Sequence, residues 1–262
     1  MTDVGTVVLV TTVAGAATGL GAVPIFFRTR FSHRTYDAAL GLAAGVMVGA
    51  SVFGLVVPGM EEGSLAAVMV GVFLGGFALL VGNRLLPHVH AHFAGFRGEG
   101  GASDAAADPE AASRVRRALL IGGAITLHNA PEGLAIGVAF ASGLEAVALL
   151  LAVVISIQNV PDGFAFAVPV GETGLSPWWV LVFTTLSGLV PQVAAALLGY
   201  SLVALAVGVF PYAAGFAAGA MLAVVFREMI PSSHGHGYAD AATAAFLVGF
   251  VLLVVVDEAL AI

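Results

Sequence analysis

Apolar stretches of about twenty residues or more recur along the whole chain, and they leave it few folds to choose from. About 20 apolar residues in a helix cross the roughly 30 Å of hydrocarbon in a bilayer. Only 10% of the residues are charged, against about 25% in ordinary soluble domains, so the chain cannot cover a soluble surface. Its mean hydropathy of +1.04 points the same way. The expectation is an all-α, polytopic membrane protein forming a single transmembrane domain over residues 1–262, with no separate soluble domain. Cysteine is absent, which excludes disulfides, thiolate metal sites and cysteine nucleophiles together. The net charge of −7 says little, because charge in such a protein informs by position. The first apolar run is preceded by Asp3 and by no basic residue, so it reads as a retained helix rather than a cleaved leader.

Charge clusters and Pro/Gly breaks divide the chain into eight apolar segments, at about 4–27, 36–58, 64–86, 118–140, 144–168, 178–204, 210–230 and 239–260. Residues 87–117 separate the third from the fourth. They hold His88, His90 and His92, a glycine-rich stretch and an Ala/Asp/Glu run, and read as a flexible loop. All nine basic residues are arginine: Arg28, Arg30, Arg34, Arg84, Arg97, Arg114, Arg116, Arg117 and Arg227. With eight alternating crossings every one falls on one side, and the positive-inside rule makes that side cytoplasmic and puts both termini outside. Glycines every fourth residue, as at Gly41, Gly45 and Gly49, suit closely packed membrane helices.

The fourth and fifth segments carry matching polar motifs near mid-membrane. One reads His128-Asn129-Ala130-Pro131-Glu132-Gly133 and the other Gln158-Asn159-Val160-Pro161-Asp162-Gly163. Burying either carboxylate in hydrocarbon costs about 2.5–3.5 kcal/mol on insertion scales, and no arginine or lysine lies at that depth to offset it. A bound cation is the missing partner. His128 with Glu132, and Gln158 with Asp162, are four residues apart and share a helix face. Pro131 and Pro161 are expected to kink helices four and five, freeing the carbonyls of Leu127 and Ile157. Imidazole, amide and two carboxylates suit zinc and neighbouring transition ions better than magnesium, calcium or copper(I). Metal-binding candidates are therefore His128, Asn129, Glu132, Gln158, Asn159 and Asp162. The plain alternative is that His128 and the amides only hydrogen-bond between helices, which leaves the paired carboxylates unexplained.

These motifs resemble those of the ZIP (Zrt-/Irt-like) metal transporters, in particular the prokaryotic GufA-like branch. The likeness extends to Thr18-Gly19-Leu20-Gly21-Ala22-Val23-Pro24, Ala43-Ala44-Gly45-Val46-Met47, Ser187-Gly188-Leu189 and Phe216-Ala217-Ala218-Gly219-Ala220-Met221. The resemblance implies eight helices, both termini outside, a metal site between helices four and five, an inverted-repeat scaffold and an alternating-access cycle importing metal. The cargo it implies is zinc, with Fe, Mn, Co and Cd as further candidates, and no resident cofactor. Two positions depart from the family. Asp162 stands where Glu is usual, and Pro191 takes the place of a helix-six Glu that bridges two metals in relatives, with Gln192 following it as a candidate for compensation. One ion rather than two is the resulting expectation.

Other residues have humbler readings. His88, His90, His92, His234 and His236 are solvated loop histidines or weak metal holders. Glu228 pairs with Arg227 at a helix end, or guards metal exit. Glu61, Glu62, Asp257 and Glu258 are outer surface charge or a lure for cations, Trp178 and Trp179 an aromatic belt, and Met47 and Ser51 core, with pore lining the lesser alternative. Expected partners are a divalent metal ion and the bilayer, with a homodimer admitted and nucleic acid excluded. The competing function is a metal-dependent intramembrane hydrolase; against it, there is no H-E-x-x-H and no free general base. A non-transporting sensor would need a soluble effector domain, and the longest loop reads as disordered.

Overall fold

A computed structural model of the protein describes residues 2–28, 31–96 and 128–260. Among these residues all regular structure is helical. In chain order the helices are α1 (Val4–Phe26), α2 (His33–Glu61), α3 (Leu65–Phe96), α4 (residues 128–141), α5 (Glu145–Gly171), α6 (Pro177–Leu205), α7 (Phe210–Ser233) and α8 (Ala239–Leu260). Seven of them, all but α4, contain a span long and apolar enough to cross a membrane. Residues 118–127 of the predicted fourth segment lie outside the described residues.

One boundary differs from expectation. α3 runs on to Phe96, whereas composition placed a loop from residue 87. Between Val89 and Ala94 nothing breaks a helix; the glycine punctuation starts only at Gly95. The remainder of that predicted loop, 97–117, lies outside the described residues. Helix starts elsewhere are capped as the sequence dictates. The carboxylate of Asp3 accepts from the N–H of Gly5, and the hydroxyl of Ser32 accepts from the N–H of Thr35. The turns on either side of α5 reverse at Gly143 and Gly174, whose φ values of +85° and +87° only glycine adopts freely.

The helices sort into two bundles. α2 lies along α8 and α3 along α7, while α1 runs beside α5 and α6. Apolar contact cannot hold them in lipid, where tails are as apolar as leucine, so close backbone approach does. A Cβ on Gly45 would stand 2.0 Å from the carbonyl oxygen of Phe246 in α8, and one on Gly75 would stand 1.9 Å from that of Phe216 in α7. In the second bundle the same test at Gly137 meets the carbonyl of Ala196, which joins α4 to α6. Between the bundles the contact is of side chains, as where Leu151 of α5 packs over Gly54 of α2. Large side chains such as Phe73, Phe77 and Val248 point outward from α3 and α8, a surface suited to lipid and not to water. Trp178 and Trp179 are exposed at the start of α6, with Phe26 edge-on to the first and Phe183 stacked on the second.

α2 and α7 share a local irregularity. Each has one widened turn, at Val52–Val56 and Val225–Met229, where an N–H reaches back five residues: Val57 to Val52 and Ile230 to Val225. In both a proline follows closely, Pro58 or Pro231, and its missing N–H leaves the ladder short of one donor. Such wide turns cluster at functional sites. The second of them carries Glu228.

Candidate metal centre

The two polar motifs lie on facing helices within the second bundle. Pro131 sits within the helical stretch of α4 and Pro161 within α5. Each acid is followed by a glycine, and one residue along a helix turns the next side chain by about 100°. Glu132 and Asp162 therefore face the site while the glycines face neighbouring backbones. A Cβ on Gly133 would stand 1.9 Å from the carbonyl oxygen of Gln192 in α6, and one on Gly163 would stand 1.8 Å from that of Thr18 in α1. The acid–glycine pairs thus seat α4 and α5 against their supports beside the carboxylates.

All six predicted residues are buried: His128, Asn129, Glu132, Gln158, Asn159 and Asp162. The amide of Gln158 donates a short hydrogen bond to Glu132 across the α4–α5 interface. Asn159 donates to the carbonyl of Ala14 at 2.8 Å and to Oε1 of Gln192 at 2.9 Å. Three acceptor oxygens, Glu132 Oε2, Gln158 Oε1 and Asn159 Oδ1, are buried without a hydrogen-bond partner among the described residues. Unsatisfied acceptors at this depth are costly, and three together suit a cation. His128 and Asp162 open instead onto a cavity of about 410 Å³ that reaches the helix ends at His33, Glu172 and Gly235. Among the described residues no arginine or lysine lines it.

Sequence reasoning missed the partner of His128. Its Nε2 lies 2.7 Å from Oε2 of Glu228, one hundred residues away in α7 and in the other bundle. Because His128 turns to Glu228 and Glu132 to Gln158, no three His, Asp or Glu groups among the described residues converge tightly enough to hold an ion by themselves. His236, expected as a solvated or weakly metal-holding loop residue, instead bonds at 2.8 Å to Asp37, a fully buried acid near the start of α2, and stacks on His33. Met47 and Ser51 are core, as expected, with the Ser51 hydroxyl donating to the carbonyl of Met47. The side chains of His88, His90 and His92 are outside the described residues.

The family model for the ZIP zinc transporter matches residues 97–257, more than half of the chain. The chain belongs to the ZIP zinc transporter family. It is similar to the zinc transporter GufA of Myxococcus xanthus, 39% identical over 256 residues that cover 94% of this chain and 96% of that protein. It is likewise 39% identical over 257 residues to the zinc transporter ZIPB of Bordetella bronchiseptica, covering 94% and 78%. The human zinc transporter ZIP11 is 32% identical over 322 residues, covering 93% and 94%. The ZIP family is one of transporters and not of enzymes, so the intramembrane hydrolase finds no support. In a member of this family zinc is a substrate and not a cofactor.

Proposed function

We propose that this chain takes up a divalent transition metal, zinc first, and delivers it to the cytoplasm through the centre between α4 and α5. The observation that carries this reading is one arrangement. Two buried carboxylates and unpartnered amide oxygens stand together, and one of the carboxylates, Asp162, opens with His128 onto a cavity that reaches the start of α2 and the ends of α5 and α7. His128, Glu132, Gln158 and Asp162 are the ligands proposed to hold the ion, with Asn129 and Asn159 beside them. Glu132 and Asp162 supply one negative charge each, which neutralises one divalent cation, and imidazole with carboxylate suits zinc.

Direction follows from the arginines. With eight crossings and both termini outside, Arg28, Arg34 and Arg227 lie on the cytoplasmic side, where the cavity opens, so this geometry is the inward-facing state. Pro131 and Pro161 bend α4 and α5 around the ion. Two experiments test the proposal. Protein reconstituted in liposomes passes external zinc to an internal fluorescent indicator, and empty liposomes do not. The absence of native cysteine gives topology a clean probe: a cysteine at Ser64 reacts with impermeant maleimide on intact cells, whereas one at Ser232 reacts only after permeabilisation. Zinc flux no greater than in empty liposomes, or the opposite labelling, contradicts the reading.

A further inference from the structure

Gln192 occupies an unexpected place in the centre. It is fully buried on α6, while Pro191 beside it, where the family resemblance implies a bridging Glu, is only partly so. The polarity of its hydrogen bonds is forced by chemistry. The carbonyl of Ala14 can only accept, so the group that Asn159 turns to it at 2.8 Å is the amide nitrogen. That same nitrogen faces Gln192 at 2.9 Å, so Gln192 presents its oxygen. Both N–H groups of Asn159 are then used. What remains is Asn159 Oδ1, a buried acceptor, and Gln192 Nε2, a buried donor, neither with a partner among the described residues.

We propose that Gln192 is the specificity-determining residue that limits the centre to one ion, turning the carbonyl of Asn159 outward from their shared bond as a neutral donor. This rests on the centre being the transport site. A second divalent ion would need a further anionic oxygen on the α6 side. There the chain supplies an amide whose oxygen is already engaged and whose open end is an N–H, the positive end of its dipole. The bond also fixes which way the Asn159 amide points, since reversal would set two oxygens against each other at Ala14.

Zinc bound per chain is counted by equilibrium dialysis on the purified full-length protein in detergent, with X-ray absorption at the zinc edge. The wild type binds one zinc and shows no zinc–zinc scattering. Gln192→Glu still accepts from Asn159, so its fold is kept, and its second oxygen is anionic. It binds two zinc ions, with a metal–metal distance of about 3.5–4 Å. Gln192→Leu keeps one zinc but binds it about tenfold more weakly, because Asn159 loses the acceptor that orients it. Two zinc ions on the wild type overturn the inference and leave the transport centre standing. So does Gln192→Glu at one ion together with Gln192→Leu at wild-type affinity, the pattern of a merely structural hydrogen bond. No zinc on the wild type removes the centre itself, and the inference with it.

Discussion

Glu132→Gln abolishes zinc uptake while leaving the fold intact. The side chain is fully buried and its Oε1 accepts from Gln158, a bond that the carbonyl oxygen of glutamine can still accept. What is lost is one of two carboxylate charges in a low-dielectric site. Breaking a buried charge pair by removing one partner costs about 3–5 kcal/mol, roughly a 10²- to 10⁴-fold loss of zinc affinity. Flux into proteoliposomes at micromolar zinc therefore falls to the level of empty vesicles. Thermal melting separates this from misfolding. Without zinc the variant melts at or above the wild-type temperature, because an uncompensated buried charge has gone. With zinc at a hundred times Kd the wild type gains about 2.7 kcal/mol, and the variant gains almost nothing. A variant that imports zinc normally would exclude Glu132 as a ligand.

Gly163→Ala is predicted to be nearly as damaging without touching a ligand. Its methyl group would stand 1.8 Å from the carbonyl oxygen of Thr18, and that atom belongs to backbone that cannot swing away. α1 and α5 must separate by more than an ångström, beside Asp162. Overpacking costs about 1–3 kcal/mol, and a displacement of this size at a reacting centre can cost about 100-fold in rate. The variant melts earlier and imports zinc at a few per cent of the wild-type rate or less. Gly82→Ala is the control: among the described residues no atom lies within 4 Å of the added carbon, so the variant keeps full uptake and a melting temperature no lower than wild type. Equal behaviour of the two variants would mean that the α1–α5 contact does not position the centre.

Much of this was legible in the sequence because lipid imposes simple rules. Hydropathy located seven helices long enough to cross a membrane, and the uncompensated acids of the two Asn-x-Pro motifs located the buried donors. Contacts set by packing were not legible. Glu228 was read as a helix-end partner of Arg227 or a guard of metal exit; its contact with His128 across the bundles was not foreseen, and it lies in the widened turn at Val225–Met229. Pro231 was the available signal, and its counterpart Pro58 follows the same kind of turn in α2. Asp37 drew no attention near the start of a helix, where a carboxylate is ordinarily solvated. It is buried because the segment after α7 brings His236 over it. The family resemblance implied that a helix-six acid was missing at Pro191, and Gln192 was noted as a candidate for compensation. Only the packing of α1, α5 and α6 shows how it is bonded.

The most direct test is anomalous scattering at the zinc edge from crystals grown with zinc. One peak is predicted between α4 and α5, within coordination distance of His128, Glu132, Gln158 and Asp162. Crystals saturated with zinc that show no peak there would contradict a metal path through this centre.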